Sequence, residues 1–350
     1  MTGPEKPMSH RLFVERLVIT LLVVGVALLF WQLRGLLILV FGAILLSVIL
    51  TVVARPFVRW LRIPDWAALL IAVALLLALF GTAFWMFGWQ IVQQADSLQE
   101  KIPAAWSALE KRLHAWGIGD SVRQWTQQIR SGGGVMANMG GIATSVGSAI
   151  ADTLLVIVGG IYLAARPGLY RSGVIKLIPE KGRPLAAQAL DDSGRALRLW
   201  LLGRLVSMVG VGLLTGLGLW LIGVPAALTL GLLAGLLEFV PFIGPIAASI
   251  PAILLALAQS PETALWTALL FLIIQQIEGN ILEPLVQQRA VDLPPALLLF
   301  ALVAGGLVFG IVGIIFAAPL TVVIYVLVKR LYVREALDTP TPIPGEENSD

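Results

Sequence analysis

Apolar stretches of membrane-crossing length follow one another along most of this chain, and they leave it few folds to choose from. A helix needs about 20 apolar residues to cross a bilayer. Leu17–Leu33, Leu36–Ala54, Trp66–Trp89, Ile142–Ala165 and Leu199–Ile222 are of this kind, the first two short and joined at Arg34-Gly35. Soluble domains carry roughly a quarter charged residues. This chain of 350 residues is 58% hydrophobic and 13% charged, with a mean hydropathy of +0.90. The sequence therefore predicts an all-α integral membrane protein of about eight hydrophobic segments, with the lipid bilayer as its first partner. The first apolar run is too long for the core of a cleavable signal and lacks a small-residue cleavage site, so it is expected to stay as the first span.

Three further runs are less regular. Val224–Ala258 is interrupted by "LLEFVPFIGPIAASIP", which places Glu238, Pro241, Gly244, Pro245 and Pro251 inside an apolar segment. Pro295–Val328 carries Gly305, Gly306, Gly310 and Gly313 at its middle, and Ala264–Val286 is a span loaded with polar groups. A run of about 34 residues would reach roughly 50 Å as one helix, against a hydrocarbon core of about 30 Å. Each broken run is either a kinked, tilted crossing or a re-entrant hairpin. Converting only one of them would carry Lys329, Arg330 and Arg334 to the outer face, against the positive-inside rule. Both kinked and both folded back satisfy the rule equally. The mid-run position of both breaks favours two hairpins opening to opposite faces.

The rule fixes the frame. Lys6, Arg11 and Arg16 precede the first span, and Arg55, Arg59 and Arg62 follow the second. The link between the fourth and fifth spans is basic, as is the stretch after the last. All four groups share one face when both termini are cytoplasmic. The expected division is residues 1–89 as the N-terminal segment and first three spans, and 90–140 as an amphipathic extracytoplasmic segment. Residues 141–198 are the fourth span and a basic cytoplasmic link, whose 183–198 part is expected to lie as a helix along the inner leaflet. Residues 199–330 form a transport core, and 331–350 a disordered cytoplasmic tail.

Several chemistries are excluded. There is no cysteine, hence no thiol catalysis or disulfide. The two histidines, His10 and His114, fall outside the predicted bilayer core, so an intramembrane metal centre has no ligands there. No phosphate-binding loop is present, and the basic residues are scattered and form no nucleic-acid stripe. No cofactor and no enzymatic activity are expected.

What remains is polar chemistry at membrane depth. In "QQIEGNILEP", Gln275 and Glu278 are three apart, while Gln276, Asn280 and Glu283 follow at steps of four and three, making two adjacent stripes with Gly279 between them. An acid near the bilayer centre costs about 2.5–3.5 kcal/mol to insert, so each is a functional hypothesis by default. Glu238 lies one turn before Pro241, where it suits a cation, a proton or a polar ligand beside freed backbone groups. It equally suits the satisfaction of amides at an opposing hairpin tip. Glu283 equally fits the end of its span. Asp152 is expected to find a structural partner in the bundle, and Arg204, five residues into the fifth span, to snorkel to the cytoplasmic interface. The candidate site is then Glu238, Pro241, Gly244 and Pro245 on one wall, Gly306 and Gly310 on the other, and Gln275, Gln276, Glu278 and Asn280 between.

"PFIGP" at 241–245, "EGNILEP" at 278–284 and "GGLVFGIVGIIFAAP" at 305–319, with "ARPFVRWL" at 54–61, resemble the autoinducer-2 exporter family of bacterial membrane proteins. Two departures stand out. Members often end the fourth span with an acid, where this chain has Ala165-Arg166-Pro167, and often place a histidine where Pro294 precedes Pro295. The resemblance implies a multi-pass transporter of the bacterial inner membrane, homo-oligomeric, with oppositely oriented hairpins. It implies export of a small polar solute such as the quorum-sensing signal autoinducer-2. Sodium or other cation/proton antiport through Glu238 or Glu278 ranks second, and a non-transport membrane scaffold third.

Overall fold

The structure, a computed structural model, describes residues 10–86, 88–89, 139–282 and 293–343, with the backbone alone for 10–15, 27 and 139–149. Among the described residues there are helices and no strand. α1 is His10–Gln32, α2 Arg34–Leu61, α3 Asp65–Met86, α4 Met139–Ala165 and α5 Pro167–Lys176. α6 is Arg183–Ile222, α7 Ala227–Leu237, α8 Ile243–Leu257 and α9 Pro261–Ile277, which continues as a π-helical turn over Glu278–Leu282. α10 is Pro295–Leu327, extended by a π-helical Val328–Ala336. Five of these helices are long and apolar enough to cross a bilayer among the described residues. The described apolar side chains of α1 from Leu17 to Trp31 are exposed, as a lipid-facing surface requires.

α2 packs on α3 through Leu50, Ala54, Ala68 and Ala72, and on α4 where Gly160 lies against Leu46. At Arg166 the chain turns by 91° into α5, the proline at the first position of the new helix providing the restart.

α6 is the axis of the rest. It runs unbroken for 40 residues, about 60 Å. α7 lies against it with backbones in near contact: a Cβ on Gly231 would stand 2.6 Å from the Gly216 Cα, closer than side-chain carbons approach. α9 packs along another side, Leu270 against Gly218 and Leu282 against Gly210. The arm 311–327 of α10 joins Ala196, Leu197, Trp200 and Leu201 of α6 in one core through Ala318, Val322 and Val326.

Both broken runs fold back. α7 and α8 stop on either side of residues 238–242. The far end of each arm meets its neighbour in one cluster of Ala227, Leu230, Ala252, Ala256 and Leu257. Gln259 Nε2 donates to the Gly223 carbonyl at 3.1 Å, tying the two bases together. In α10 the turn is made by one residue, Gly310, at φ 65° and ψ −145°. That conformation is open to glycine alone. Gly305 and Gly313 then lie in backbone contact across the turn, which a straight helix would hold about 12 Å apart. The first hairpin has its base beside Ile222 and its tip beside Arg204. The second has its base beside Gln188, where Arg330 bonds, and its second arm packs on Ala196 to Leu201 of α6 through Val326, Val322 and Ala318. They open to opposite ends of the same helix.

Three expectations need correction or fall outside the description. The 183–198 stretch is not a separate surface helix: it is the first part of α6, and the 198/199 boundary falls inside it. Two of its acids, Asp191 and Asp192, pair with arginines of neighbouring helices. Arg171 of α5 donates twice to Asp191, at 2.7 and 2.6 Å, a pairing that raises the arginine pKa further through the hydrogen bond and the opposite charge. Arg330 reaches Asp192 at 3.6 Å and bonds Gln188. The tail expected to be disordered from 331 is helical to Ala336. Beyond it Ile343 is buried with Leu197, Leu293 and Val326 because the strand of chain before it turns back along α10. Residues 90–138, which hold almost all of the expected amphipathic segment and His114, lie outside the described residues, as does Glu283.

Candidate functional site

At the tip of the first hairpin three charged side chains meet in the interior. Glu238 is 0% exposed, Arg204 8% and Glu278 5%. Arg204 Nη2 donates to Glu238 Oε1 at 2.5 Å, and its Nη1 lies 3.5 Å from Glu278 Oε1. Gln275 Nε2 donates to the other oxygen of Glu278 at 3.2 Å. Charges are taken out of water only when paired and hydrogen-bonded. Here one guanidinium faces two carboxylates, and Glu238 Oε2 and Arg204 Nε have no hydrogen-bond partner.

Each group is placed by its own local structure. Arg204 lies between Gly203 and Ser207 on the side of α6 that α7 and α9 cover. It was expected to snorkel to the interface; it does not, because α6 begins at Arg183 and carries residue 204 about 31 Å from its start. Glu238 caps α7 where the helix unwinds, its N–H still bonded to the Ala234 carbonyl. Glu278 begins the π-helical turn after α9, and such an inserted turn rotates side chains away from the α-helical register.

Tip geometry is unusual. The Ile243 N–H bonds to the Pro241 carbonyl at 2.7 Å around Phe242, which has φ 64° and ψ −44°. This is the rarer, strained γ-turn, on a bulky residue that seldom takes positive φ. Gly244 follows, buried, at a point where a Cβ would overlap the Leu237 carbonyl. Pro245 is half-buried in the first turn of α8. Phe239 packs edge-on against Trp200, ring centroids 6.0 Å apart.

The sequence-derived candidates thus divide. Glu238, Glu278 and Gln275 are drawn together around Arg204, with Pro241, Gly244 and Pro245 shaping the tip. Gln276 and Asn280 lie on the exposed face of α9 and bond to each other, Asn280 Nδ2 donating to the Gln276 carbonyl and side-chain oxygens at 2.9 and 3.1 Å. Gly306 and Gly310 belong to the turn of the other hairpin. Asp152 is exposed on α4, and its expected partner in the bundle is not found among the described residues. Arg204 is the site residue that the sequence reading assigned to the interface; the signal for its true place was the two acids themselves, which need a cation once buried. A cavity of about 530 Å³ between α3, α6 and α7 is lined by Leu79, Met208, Leu213, Trp220 and Leu228 among others. Arg204, Glu238, Gln275 and Glu278 do not line it.

An all-α multi-pass protein, with two helical hairpins folded against one long helix and a buried ionic cluster at one tip, has the form of a membrane transport protein. The family described as AI-2E family transporter matches residues 17–332, and the chain belongs to it. It is 27% identical over 303 residues to YrrI of Bacillus subtilis, covering 82% of this chain and 85% of that protein. It is 26% identical over 307 residues to the AI-2 transport protein TqsA of Escherichia coli, covering 82% and 84%. PerM of Escherichia coli is 27% identical over 277 residues, covering 74% and 77%.

Proposed function

We infer that this transporter exports a small polar, hydroxyl-rich solute of the autoinducer-2 kind by alternating access at a midplane site between the two hairpins. The observation that carries this reading is the pair of hairpins opening to opposite ends of α6, with a buried ionic cluster at the tip of the first. The arms support re-entrant placement: α7 and α8, at 11 and 15 residues, reach only about 16 and 22 Å, too short to cross a core of about 30 Å. Interrupted helices at membrane depth are where secondary transporters bind their substrates. Likeness to a protein named for AI-2 transport supports the solute. Inner-membrane location, cytoplasmic termini and homo-oligomeric assembly belong to the same proposal; the first two rest on the charge distribution and the resemblance, the last on the resemblance alone.

A second reading, cation/proton antiport, draws support from charge balance. One guanidinium against two carboxylates leaves a place for a proton or a monovalent cation. Purified protein in liposomes separates the two. Sodium and pH gradients are imposed in turn while internal pH and uptake of a labelled hydroxylated solute are followed, in the parent and in Glu278→Gln. Solute flux without sodium-linked proton movement is the expected result. Sodium-dependent proton flux lost in the variant establishes antiport instead, and neither flux from folded protein returns the scaffold reading.

A further inference from the structure

Arg204 is held by its two acids unequally. Glu238 is the closer partner, in direct hydrogen-bond contact, while the 3.5 Å approach to Glu278 stands at the outer limit of hydrogen bonding. Glu278 is nonetheless oriented, because Gln275, on its own helix, holds its second oxygen. The two acids also ride on different kinds of support. Glu278 follows directly from α9, a helix packed against α6 at Gly218 and Gly210. Glu238 sits on a hairpin tip whose base is tied at the far end, and whose γ-turn at Phe242 is strained. Backbone packing of α7 on α6 ends at Gly235, so the turn from Glu238 to Ile243 is the part disposed to move, and the Arg204–Glu238 pair is the charged contact that fastens it, beside Phe239 on Trp200. A guanidinium left alone in the interior is strongly unfavourable. Moving the tip requires a second acid already in place.

We propose that Arg204 changes partner during transport: bonded to Glu238 it holds the first hairpin's tip against α6, and as the tip withdraws it passes to Glu278, which keeps it paired. Glu278 and Gln275 are then positioning residues for the open state, and Phe242 supplies strain that favours opening. The proposal rests on the transporter reading above and deepens it by naming the groups that move.

The chain has no cysteine, so a single Phe239→Cys substitution places one thiol at the tip, half-buried against Trp200 in this state and uncovered when the tip withdraws. The rate of its reaction with a maleimide is read on the full chain in liposomes, in the parent background, with Glu238→Gln and with Glu278→Gln. Partner exchange requires opposite signs. Loss of Glu238 frees the tip and raises the rate about tenfold, and loss of Glu278 removes the guanidinium's open-state partner and lowers it about tenfold. A cluster that is merely structural loosens in both variants, so a rise in both overturns the proposal, as does no change in either. Should Glu278→Gln fail to fold, Gln275→Ala is read in its place: a slower reaction supports the exchange, and an unchanged or faster one overturns it. Labelling uses no solute. A failed transport assay thus leaves this result standing, and the two readings fail separately.

Discussion

Arg204 Nη2 lies 2.5 Å from Glu238 Oε1, a contact between a long helix and a hairpin tip 34 residues further along the chain. Both groups are buried, and the next nearest acid, Glu278, stands 3.5 Å from the same guanidinium. The hairpin is thus fastened at its two ends by different means, a neutral Gln259–Gly223 hydrogen bond at the base and an ion pair at the tip. Only the second changes strongly when a charge is removed.

Removing one member of a buried ion pair leaves the other uncompensated, at a cost of about 3–5 kcal/mol. Arg204→Ala is expected to lose that much, read as a fall in thermal unfolding temperature of the purified protein. In double-mutant cycles to alanine, the 204/238 coupling should exceed the 204/278 coupling, following the two distances. Equal couplings would mean that the guanidinium does not prefer Glu238.

Close approach of α6 and α7 depends on glycine at their crossing. Gly231→Ala puts a methyl group 2.6 Å from the Gly216 Cα, with backbone on the facing side and nothing flexible to give way. Overpacking of this kind costs about 1–3 kcal/mol. Gly279→Ala is the control, since a Cβ there meets nothing within 4 Å, and it should stay within about 0.5 kcal/mol of the parent. Similar losses in both would place the crossing elsewhere.

At Gly310 the requirement is conformational. Nothing stands within 4 Å of a Cβ there, yet φ 65° with ψ −145° is a region that side-chain-bearing residues avoid at about 1–3 kcal/mol. Gly310→Ala should destabilise the second hairpin by that amount and raise protease sensitivity across 305–313. A neutral Gly310→Ala would mean that the run is a kinked helix and that the turn is misplaced.

How much of this was readable beforehand differs from residue to residue. The acids Glu238 and Glu278 stood out because a carboxylate in an apolar run has few innocent explanations. The breaks were visible as proline and glycine, and basic-residue parity limited them to both kinked or both folded. The 238–242 and 310 turns supply the direction of folding that parity leaves open. Arg204 was misplaced because its depth depends on where its helix starts, and nothing local marks Arg183 as that start. Its partners lie 34 and 74 residues away, beyond any helical periodicity. Gln276 and Asn280 share the composition of a binding stripe, but which stripe faces inward was set by the packing of α9 on α6, not by spacing.

The tail gives the last test, since composition and structure make opposite claims about it. "DTPTPIP" is the kind of proline-rich sequence that stays unfolded. Yet the Thr339 N–H bonds to the Val333 carbonyl at 3.1 Å, Lys329 Nζ donates to the Pro342 carbonyl at 3.4 Å, and Ile343 is 3% exposed beside Leu293 and Val326. These contacts fasten the tail over the base of the second hairpin. Ile343→Ala should cost about 2 kcal/mol, the low end for truncating a buried isoleucine. Limited proteolysis should cut the variant between 337 and 343 faster than the parent, whereas Lys329→Gln, which loses one long hydrogen bond, should change the rate little. Equal cleavage of parent and Ile343→Ala would return the tail to the disordered state its composition suggests.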